Sequence, residues 1–180
     1  QAFRKQFGFN AICLMPTNLY GPGDNYHLGN SHVLPAMIMR FYEAVKNKKS
    51  KVECWGSGSP KREFLHVDDL SDASLHALKY WDINNKNAPR DDYDNILEFL
   101  NVGTGKDISI KDLAKLVANQ IGYKGEILWD RSKPDGTPRK LLDVNRMKSI
   151  GWESKIKLED GIKQTIISFQ EQINNGSIRN

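Results

Sequence analysis

The sequence predicts an α/β fold, and three observations lead to that prediction. Short apolar runs of strand length alternate with longer stretches in which apolar residues recur every three or four positions. Polar segments containing Gly and Pro separate these runs. The chain has 180 residues, of which 39% are hydrophobic, so it can bury a well-packed core. Alternating helices and strands are typical of α/β proteins.

The first part of the chain is predicted to place a strand between two helices. The segment QAFRKQFGFN is typical of a last helical turn that ends at Gly8. The apolar run NAICLMP then predicts a buried parallel strand that leads into a functional loop. The next helix is predicted to use Asn30 or Ser31 as N-cap and to end near Lys46. Its predicted core face contains Val33, Met37, Ile38, Phe41 and Val45.

Two strands and a helix are predicted next. KVECWGSGS predicts a strand with a tight turn, and REFLHV predicts a second strand. Asp68 or Asp69 is predicted to cap the following helix, because a side-chain oxygen there can accept from the first free backbone N–H groups. The apolar positions of that helix are Leu70, Ala73, Ala77, Leu78 and Trp81. Residues 84–95 are polar and are predicted to form a loop.

The remaining elements follow the same alternation. EFLNVGTG and GEILWD predict strands, and between them Ser109 and Asp112 resemble a capping box for a helix that ends at Gly122. RSKPDGTPRK predicts a rigid loop. The final amphipathic helix is marked by Leu158, Ile162, Ile166, Phe169 and Ile173.

The composition favours a cytoplasmic protein that binds small acidic molecules. The net charge is +4, and no run of five like charges indicates a nucleic-acid surface. No stretch approaches the roughly 18 apolar residues of a membrane span, so we expect no membrane partner. Cys13 and Cys54 stand alone in apolar contexts and are predicted to be reduced core residues. The four histidines lack zinc-ligand spacing, so no metal is expected.

Several short patterns suggest chemistry that their surroundings do not support. GPGDN, GSGSPK and GTGKD do not complete a phosphate-binding loop, since Lys106 precedes Asp107 where Ser or Thr is needed. Tyr42 and Lys46 have the Tyr-x-x-x-Lys spacing of some dehydrogenases but lie late on a helix, and we interpret them as surface residues. His66 and Asp68 bracket a strand-to-helix turn, where a structural pair is favoured over a catalytic one.

Basic and aromatic side chains suggest a site for a nucleotide diphosphate. Arginine can bind pyrophosphate through two hydrogen bonds, lysine adds a point charge, and an indole offers a stacking face. Taken alone, each such side chain is more often structural, and a tryptophan such as Trp55 is more often a core residue. The candidates are Arg40, Trp55, Arg62, Arg139 and Lys140.

His32 and Arg40 share one apolar stretch, NSHVLPAMIMRFYEA. Each alone is compatible with an ordinary capping or surface role. A histidine at a helix N-terminus faces the positive end of the helix dipole, which favours proton donation near neutral pH. Arg40 lies about 12 Å further along the axis at about 1.5 Å per residue, which fits the span from a reacting hexose to a diphosphate.

Four stretches resemble the extended short-chain dehydrogenase/reductase family, and within it the GDP-sugar 3,5-epimerase/4-reductases. They are PTNLYGPGDNYHLGNSHVLPAMIMRF, VECWGSGSPKREFLHVDDL, LNVGTG and SKPDGTPRKLLDV. The resemblance implies the C-terminal part of an NAD(P)-binding Rossmann-fold nucleotide-sugar enzyme. It implies that residues 1–30 end the Rossmann domain and that residues 31–180 form a smaller α/β substrate-binding domain. Within the latter, residues 96–122 would return to the Rossmann sheet.

The resemblance also implies an activity and its residues. NADPH would drive the conversion of GDP-4-keto-6-deoxy-D-mannose to GDP-L-fucose, by epimerisation at carbons 3 and 5 and reduction at carbon 4. His32 would be the general acid of epimerisation. The nicotinamide end of NADPH would contact Pro16, Thr17, Asn18, Leu19 and His32. The GDP-sugar would be held by Arg40, Trp55, Arg62 and Lys140, with Asp135 as a neighbour.

The sequence departs from the family pattern where the first half of such an enzyme would be. A GxxGxxG cofactor loop, a catalytic serine, an epimerisation cysteine and a functional Tyr-x-x-x-Lys pair are not found. We therefore expect the C-terminal half of a homodimeric enzyme, inactive without its N-terminal half. The alternatives are a sibling nucleotide-sugar epimerase or dehydratase and a non-catalytic nucleotide-sugar binding module.

Overall fold

A computed structural model describes residues 2–179 and confirms the alternation of helices and strands. In chain order the elements are α1 Ala2–Phe7, β1 Cys13–Pro16, β2 Asn18–Tyr20, α2 Val33–Lys46, β3 Lys51–Trp55, β4 Lys61–His66, α3 Val67–Tyr80, β5 Phe99–Val102, β6 Asp107–Ser109, α4 Ile110–Ile121, β7 Glu126–Asp130, β8 Arg139–Lys140, α5 Asn145–Ser149 and α6 Leu158–Asn175. The predicted α/β class is therefore correct.

The strands form three small sheets. β1 pairs in parallel with β5, and β3 pairs in parallel with β7. The third sheet is built around β4, which pairs in parallel with β2 and β8 and antiparallel with β6. In this sheet Arg62 of β4 lies opposite Lys140 of β8. The division at residue 30 stays a prediction, although the β1–β5 pair is separate from the sheet around β4.

Two clusters of buried apolar side chains form the core. The larger cluster packs α2, α4 and α6 against β3 and β4, and the smaller lies between α3 and the β1–β5 sheet. Large buried members of the first are Tyr26, Ile38, Phe41, Leu113, Val117, Ile162 and Phe169. Members of the second are Leu65, Ala73, Ala77, Trp81, Leu100, Val102, Met147 and Trp152. Tyr42, interpreted from sequence as a surface residue, is half-buried and packs edge-on against Phe169 at 5.1 Å.

The N-cap of α2 was predicted wrongly. The helix begins after His32, whose backbone is extended and whose carbonyl accepts the first helical hydrogen bond, rather than after Asn30 or Ser31. The buried face also differs from the predicted one, because Leu34 and Ala44 are buried while Val33 and Val45 are exposed. Met37, Ile38 and Phe41 are buried as predicted.

The N-cap of α3 was also predicted wrongly. The side chain of His66, not Asp68 or Asp69, accepts from the backbone N of Asp68 at 3.3 Å. The geometry makes His66 and Asp68 a structural pair. Asp69 is buried and instead accepts from the backbone N–H groups of Lys155 and Ile156. Leu78 is 76% exposed, contrary to its predicted place on the core face.

The strand predicted at NAICLMP exists but is not buried. Cys13 and Met15 of β1 are exposed. Among the described residues, β1 belongs to a two-stranded sheet with β5, so it is an edge strand. Cys13 was therefore wrongly predicted as a core residue, whereas Cys54 is buried. The elements β2, β6, β8 and α5 were not predicted. Each has five residues or fewer, too short for a clear apolar period.

The predicted start and end of α4 are confirmed. Ser109 is the N-cap and accepts from the backbone N of Asp112 at 3.0 Å, and Gly122 ends the helix in the left-handed conformation. Residues 84–95 contain no helix or strand, as predicted. Within residues 2–179, none of the helices is both long and apolar enough to traverse a lipid bilayer.

We expect Ser109→Ala to lower the free energy of unfolding by about 1 kcal/mol, because the cap at α4 is lost. Chemical denaturation of the two proteins measures this difference. Ser71→Ala is the control, since the exposed Ser71 hydroxyl bonds only to the Val67 carbonyl inside α3. It should change stability by less than about 0.5 kcal/mol. Equal effects of the two substitutions would contradict the role given to the cap.

Candidate active site

A cavity of about 450 Å³ lies where β1 gives way to β2. It is lined by Pro16, Thr17, Asn18, Leu19, His32, Lys140, Leu141 and Leu142. All five residues assigned from sequence to the nicotinamide end of NADPH are therefore in one cavity, together with one residue assigned to the GDP-sugar. The carboxyl end of a parallel strand is where ligands bind in open α/β sheets.

The wall formed by residues 16–19 is fixed by hydrogen bonds to neighbouring strands. The backbone N of Thr17 donates to the carbonyl of Val102 on β5 at 3.0 Å. The Thr17 hydroxyl and the Asn18 side-chain amide both donate to the carbonyl of Glu63 on β4, at 3.3 and 2.7 Å. The wall is thus attached to both β5 and β4.

His32 reaches the cavity from the N-terminus of α2. Its ring makes no capping hydrogen bond with that helix, and its side chain is exposed. An imidazole placed in this way can exchange a proton with a bound molecule.

Asp24, which was not predicted from the sequence as a site residue, lies near His32. Burial raises the pKa of the Asp24 carboxyl above its ordinary value, and the nearby His32 and Arg179 partly oppose that increase. Its position in the Gly-Pro loop between the predicted functional strand and His32 was the available signal.

Arg62 and Lys140 lie side by side. Arg62 is opposite Lys140 in the parallel pairing of β4 with β8. One nitrogen of the guanidinium donates to the carbonyl of Thr137 at 2.6 Å and to the carbonyl of Lys61 at 2.7 Å. Arg62 therefore holds the segment that leads to Lys140, and Lys140 extends the positive charge to the cavity.

Trp55 and Asp135 lie in a second cluster next to these residues. Trp55 ends β3 and is 65% exposed, so it is not a core tryptophan. The Lys133 ammonium lies 5.8 Å from its ring centre. The Asp135 carboxylate accepts from the backbone N and the hydroxyl of Ser57, at 2.8 and 2.6 Å, and these bonds lower the pKa of Asp135. Asp135 thus holds the loop of residues 131–138 against the turn after Trp55.

Arg40 and Arg139 do not line the cavity. Arg40 donates to the carbonyl of Glu53 on β3 at 2.6 Å. It faces the thiol of Cys54, whose pKa is raised by burial and partly lowered by Arg40. Arg139 bonds to Asp107 and lowers the pKa of that carboxyl. The structure therefore groups Trp55, Arg62, Asp135 and Lys140 around one loop, with Arg40 beside the strand that carries Trp55.

Two of the Gly-rich turns noticed in the sequence already hold a protein carboxylate. Asp135 occupies the turn at Gly56, where a Cβ atom would lie 2.4 Å from its Oδ1 atom. The buried Glu63 occupies the GTG turn. In both turns a protein carboxylate therefore occupies the space that a bound phosphate would need. Within the described residues, no group of three or more His, Cys, Asp or Glu side chains could hold a metal ion.

Comparisons with known proteins show which proteins the chain resembles. Residues 1–89 match the model of the NAD dependent epimerase/dehydratase family. "Probable GDP-L-fucose synthase 1" of Oryza sativa subsp. japonica is 48% identical over 173 residues, which are 96% of this chain and 49% of that protein. The chain thus spans about half the length of the curated relatives it matches.

Solved structures show the same relationship. A GDP-6-OMe-4-keto-L-xylo-heptose reductase from C. jejuni has a TM-score of 0.83 and 34% identity, over 95% of this chain and 57% of that one. A GDP-L-fucose synthetase from Naegleria fowleri bound to NADP has a TM-score of 0.78 and 25% identity, over 94% and 49%. The chain is thus similar, over residues 1–89, to the NAD dependent epimerase/dehydratase family and, over nearly all its length, to about half of each GDP-L-fucose synthase that it matches.

Proposed function

We propose that this chain forms part of an NADPH-dependent epimerase/reductase that converts GDP-4-keto-6-deoxy-D-mannose to GDP-L-fucose. The observation that carries the proposal is the cavity in which residues 16–19, His32 and Lys140 meet. The proposal is also supported by relatives that are named GDP-L-fucose synthase.

The cavity suits the nicotinamide end of NADPH. Pro16, Leu19, Leu141 and Leu142 offer apolar surface for a ring face, and Thr17 and Asn18 are held in place by Glu63. When bound, NADPH supplies the hydride that reduces carbon 4 of the sugar. The residues of this chain position the ring.

His32 acts as the acid in the epimerisation steps. At carbons 3 and 5 a proton leaves one face of the sugar and another is delivered to the opposite face. The imidazole, at the N-terminus of α2 and without a capping hydrogen bond, holds the proton to be delivered.

The GDP part extends from the cavity along the loop of residues 131–138. Lys140 and Arg62 supply positive charge next to the cavity, and exposed Trp55 supplies a stacking face. Arg40 lies behind Trp55 and supports β3. Asp135, whose oxygens are bonded to Ser57, orients the turn rather than the ligand. A homodimeric enzyme and a cytoplasmic location stay predictions.

We expect GDP to raise the melting temperature of this chain and UDP to raise it much less. At a hundredfold excess over Kd, a bound ligand stabilises the native state by about 2.7 kcal/mol. A thermal-shift titration with GDP, UDP and NADPH measures the effect. Lys140→Ala should greatly reduce the GDP response, whereas Lys163→Ala, an exposed site on α6, should leave it unchanged. A larger response to UDP would favour the sibling epimerases, and no response would contradict a nucleotide site in this chain.

We expect His32→Asn, in the complete enzyme, to lower epimerisation by about 10²- to 10⁴-fold, because the proton donor is lost. Solvent deuterium incorporation at carbons 3 and 5, followed by NMR, measures the rate. GDP-sugar affinity should be unchanged. His27→Asn is the control, since His27 is exposed and does not line the cavity. Normal deuterium incorporation in the His32 variant would instead support a binding module or a different acid.

A further inference from the structure

Glu63 is a buried carboxylate that has no role in the chemistry described above. It follows Arg62 on β4 and is 0% exposed. One carboxylate oxygen accepts from the backbone N of Gly105 at 2.7 Å, and the other accepts from the backbone N of Leu142 at 2.9 Å. A buried carboxylate with two such donors is strongly held, because each bond is charge-assisted.

The main chain of the same residue holds the opposite wall of the cavity. The Glu63 carbonyl accepts from the side chains of Thr17 and Asn18. Leu142, Thr17 and Asn18 all line the cavity. Glu63 is thus hydrogen-bonded to both walls, through its carbonyl on one side and its carboxylate on the other.

The GTG turn is shaped around this carboxylate. A Cβ atom at Gly103 would lie 2.3 Å from the Oε1 atom of Glu63, closer than atoms can approach. The hydroxyl of Thr104 lies 3.4 Å from the same oxygen. A side chain at position 103 would therefore force the carboxylate to shift.

We propose that Glu63 is a positioning residue that sets the separation of the two cavity walls, residues 16–19 and residues 140–142. The identity of the ligand in this inference rests on the proposed function. The positions of the two walls do not depend on that function, since the hydrogen bonds of Glu63 are formed within the chain itself. Glu63 does not line the cavity and acts through Thr17, Asn18 and Leu142.

The first test is Glu63→Gln. A glutamine side chain has one oxygen and one NH2 group, so it can accept from only one of the two backbone N–H donors. Because the other donor is left buried and unpaired, the segment that carries it moves, which is either the wall at Leu142 or the GTG turn at Gly105. We expect faster amide hydrogen exchange at Leu142 or Gly105 and NADPH affinity about tenfold weaker, the effect of losing roughly one buried hydrogen bond.

Asp69→Asn is the matched control. Asp69 is also a buried carboxylate that accepts from backbone N–H groups, those of Lys155 and Ile156, and it lies away from the cavity. Its loss should lower the melting temperature by a similar amount while NADPH affinity stays within about twofold. If both variants weaken NADPH binding equally at equal loss of stability, Glu63 is only structural and the inference is wrong.

Gly103→Ala is the second variant and does not remove the charge. It should reproduce the exchange and affinity changes of Glu63→Gln by displacing the carboxylate, and it decides the question if Glu63→Gln does not fold. Exchange is measured without ligand, together with the side-chain amide resonance of Asn18. If the wild-type chain does not bind NADPH, the proposed function fails in this chain, while the exchange and resonance data still decide the role of Glu63. Unchanged exchange at Gly105 and Leu142 in both variants overturns the inference.

Discussion

The site depends above all on the backbone pairing of β4 with three other strands. Residues 64–66 pair with β2, and residues 61–63 pair with β6 and partly with β8. One six-residue strand therefore sets the positions of the wall at residues 16–19, the GTG turn and Lys140. Because side chains alternate along a strand, a slip of one residue would exchange the inner face for the outer one. Arg62 would then point into the core and Glu63 toward solvent. That arrangement is unfavourable, because burying the Arg62 charge without a partner costs free energy.

Two of the Gly-rich turns are occupied by carboxylates of the protein itself. Glu63 lies in the GTG turn and Asp135 binds the backbone N–H after Gly56. In both turns the missing side chain lets a carboxylate approach closer than any Cβ atom would allow. The two contacts attach distant segments, separated by 42 and 78 residues in sequence, to β4 and to the end of β3. These turns therefore hold segments of the cavity region together.

Much of the fold and part of the site could be predicted from the sequence. The long elements were found because their apolar periodicity is strong, as in α4 with its Ser109 cap and Gly122 end. The caps of α2 and α3 were assigned to the wrong residues, since a histidine stands where Ser, Asn or Asp is more common. The shortest strands lack a period that sequence reasoning can detect.

The site residues show the same division. The association of residues 16–19 with His32 followed from the resemblance of contiguous motifs, and the structure places them in one cavity. The contacts of Glu63 and Asp135 could not be predicted, because each joins segments far apart in sequence and depends on the tertiary path of the chain. Nor could the sequence distinguish Arg139, which is bonded to Asp107, from Lys140, which faces the cavity.

Thr17 is the single residue between β1 and β2, and these two strands belong to different sheets. It is bonded to Val102 on one sheet and to Glu63 on the other. With one residue of connection there is no slack to absorb a relative movement of the sheets. A rotation of one sheet relative to the other would therefore move the cavity wall at Thr17. The width of the cavity is thus coupled to the angle between the two sheets.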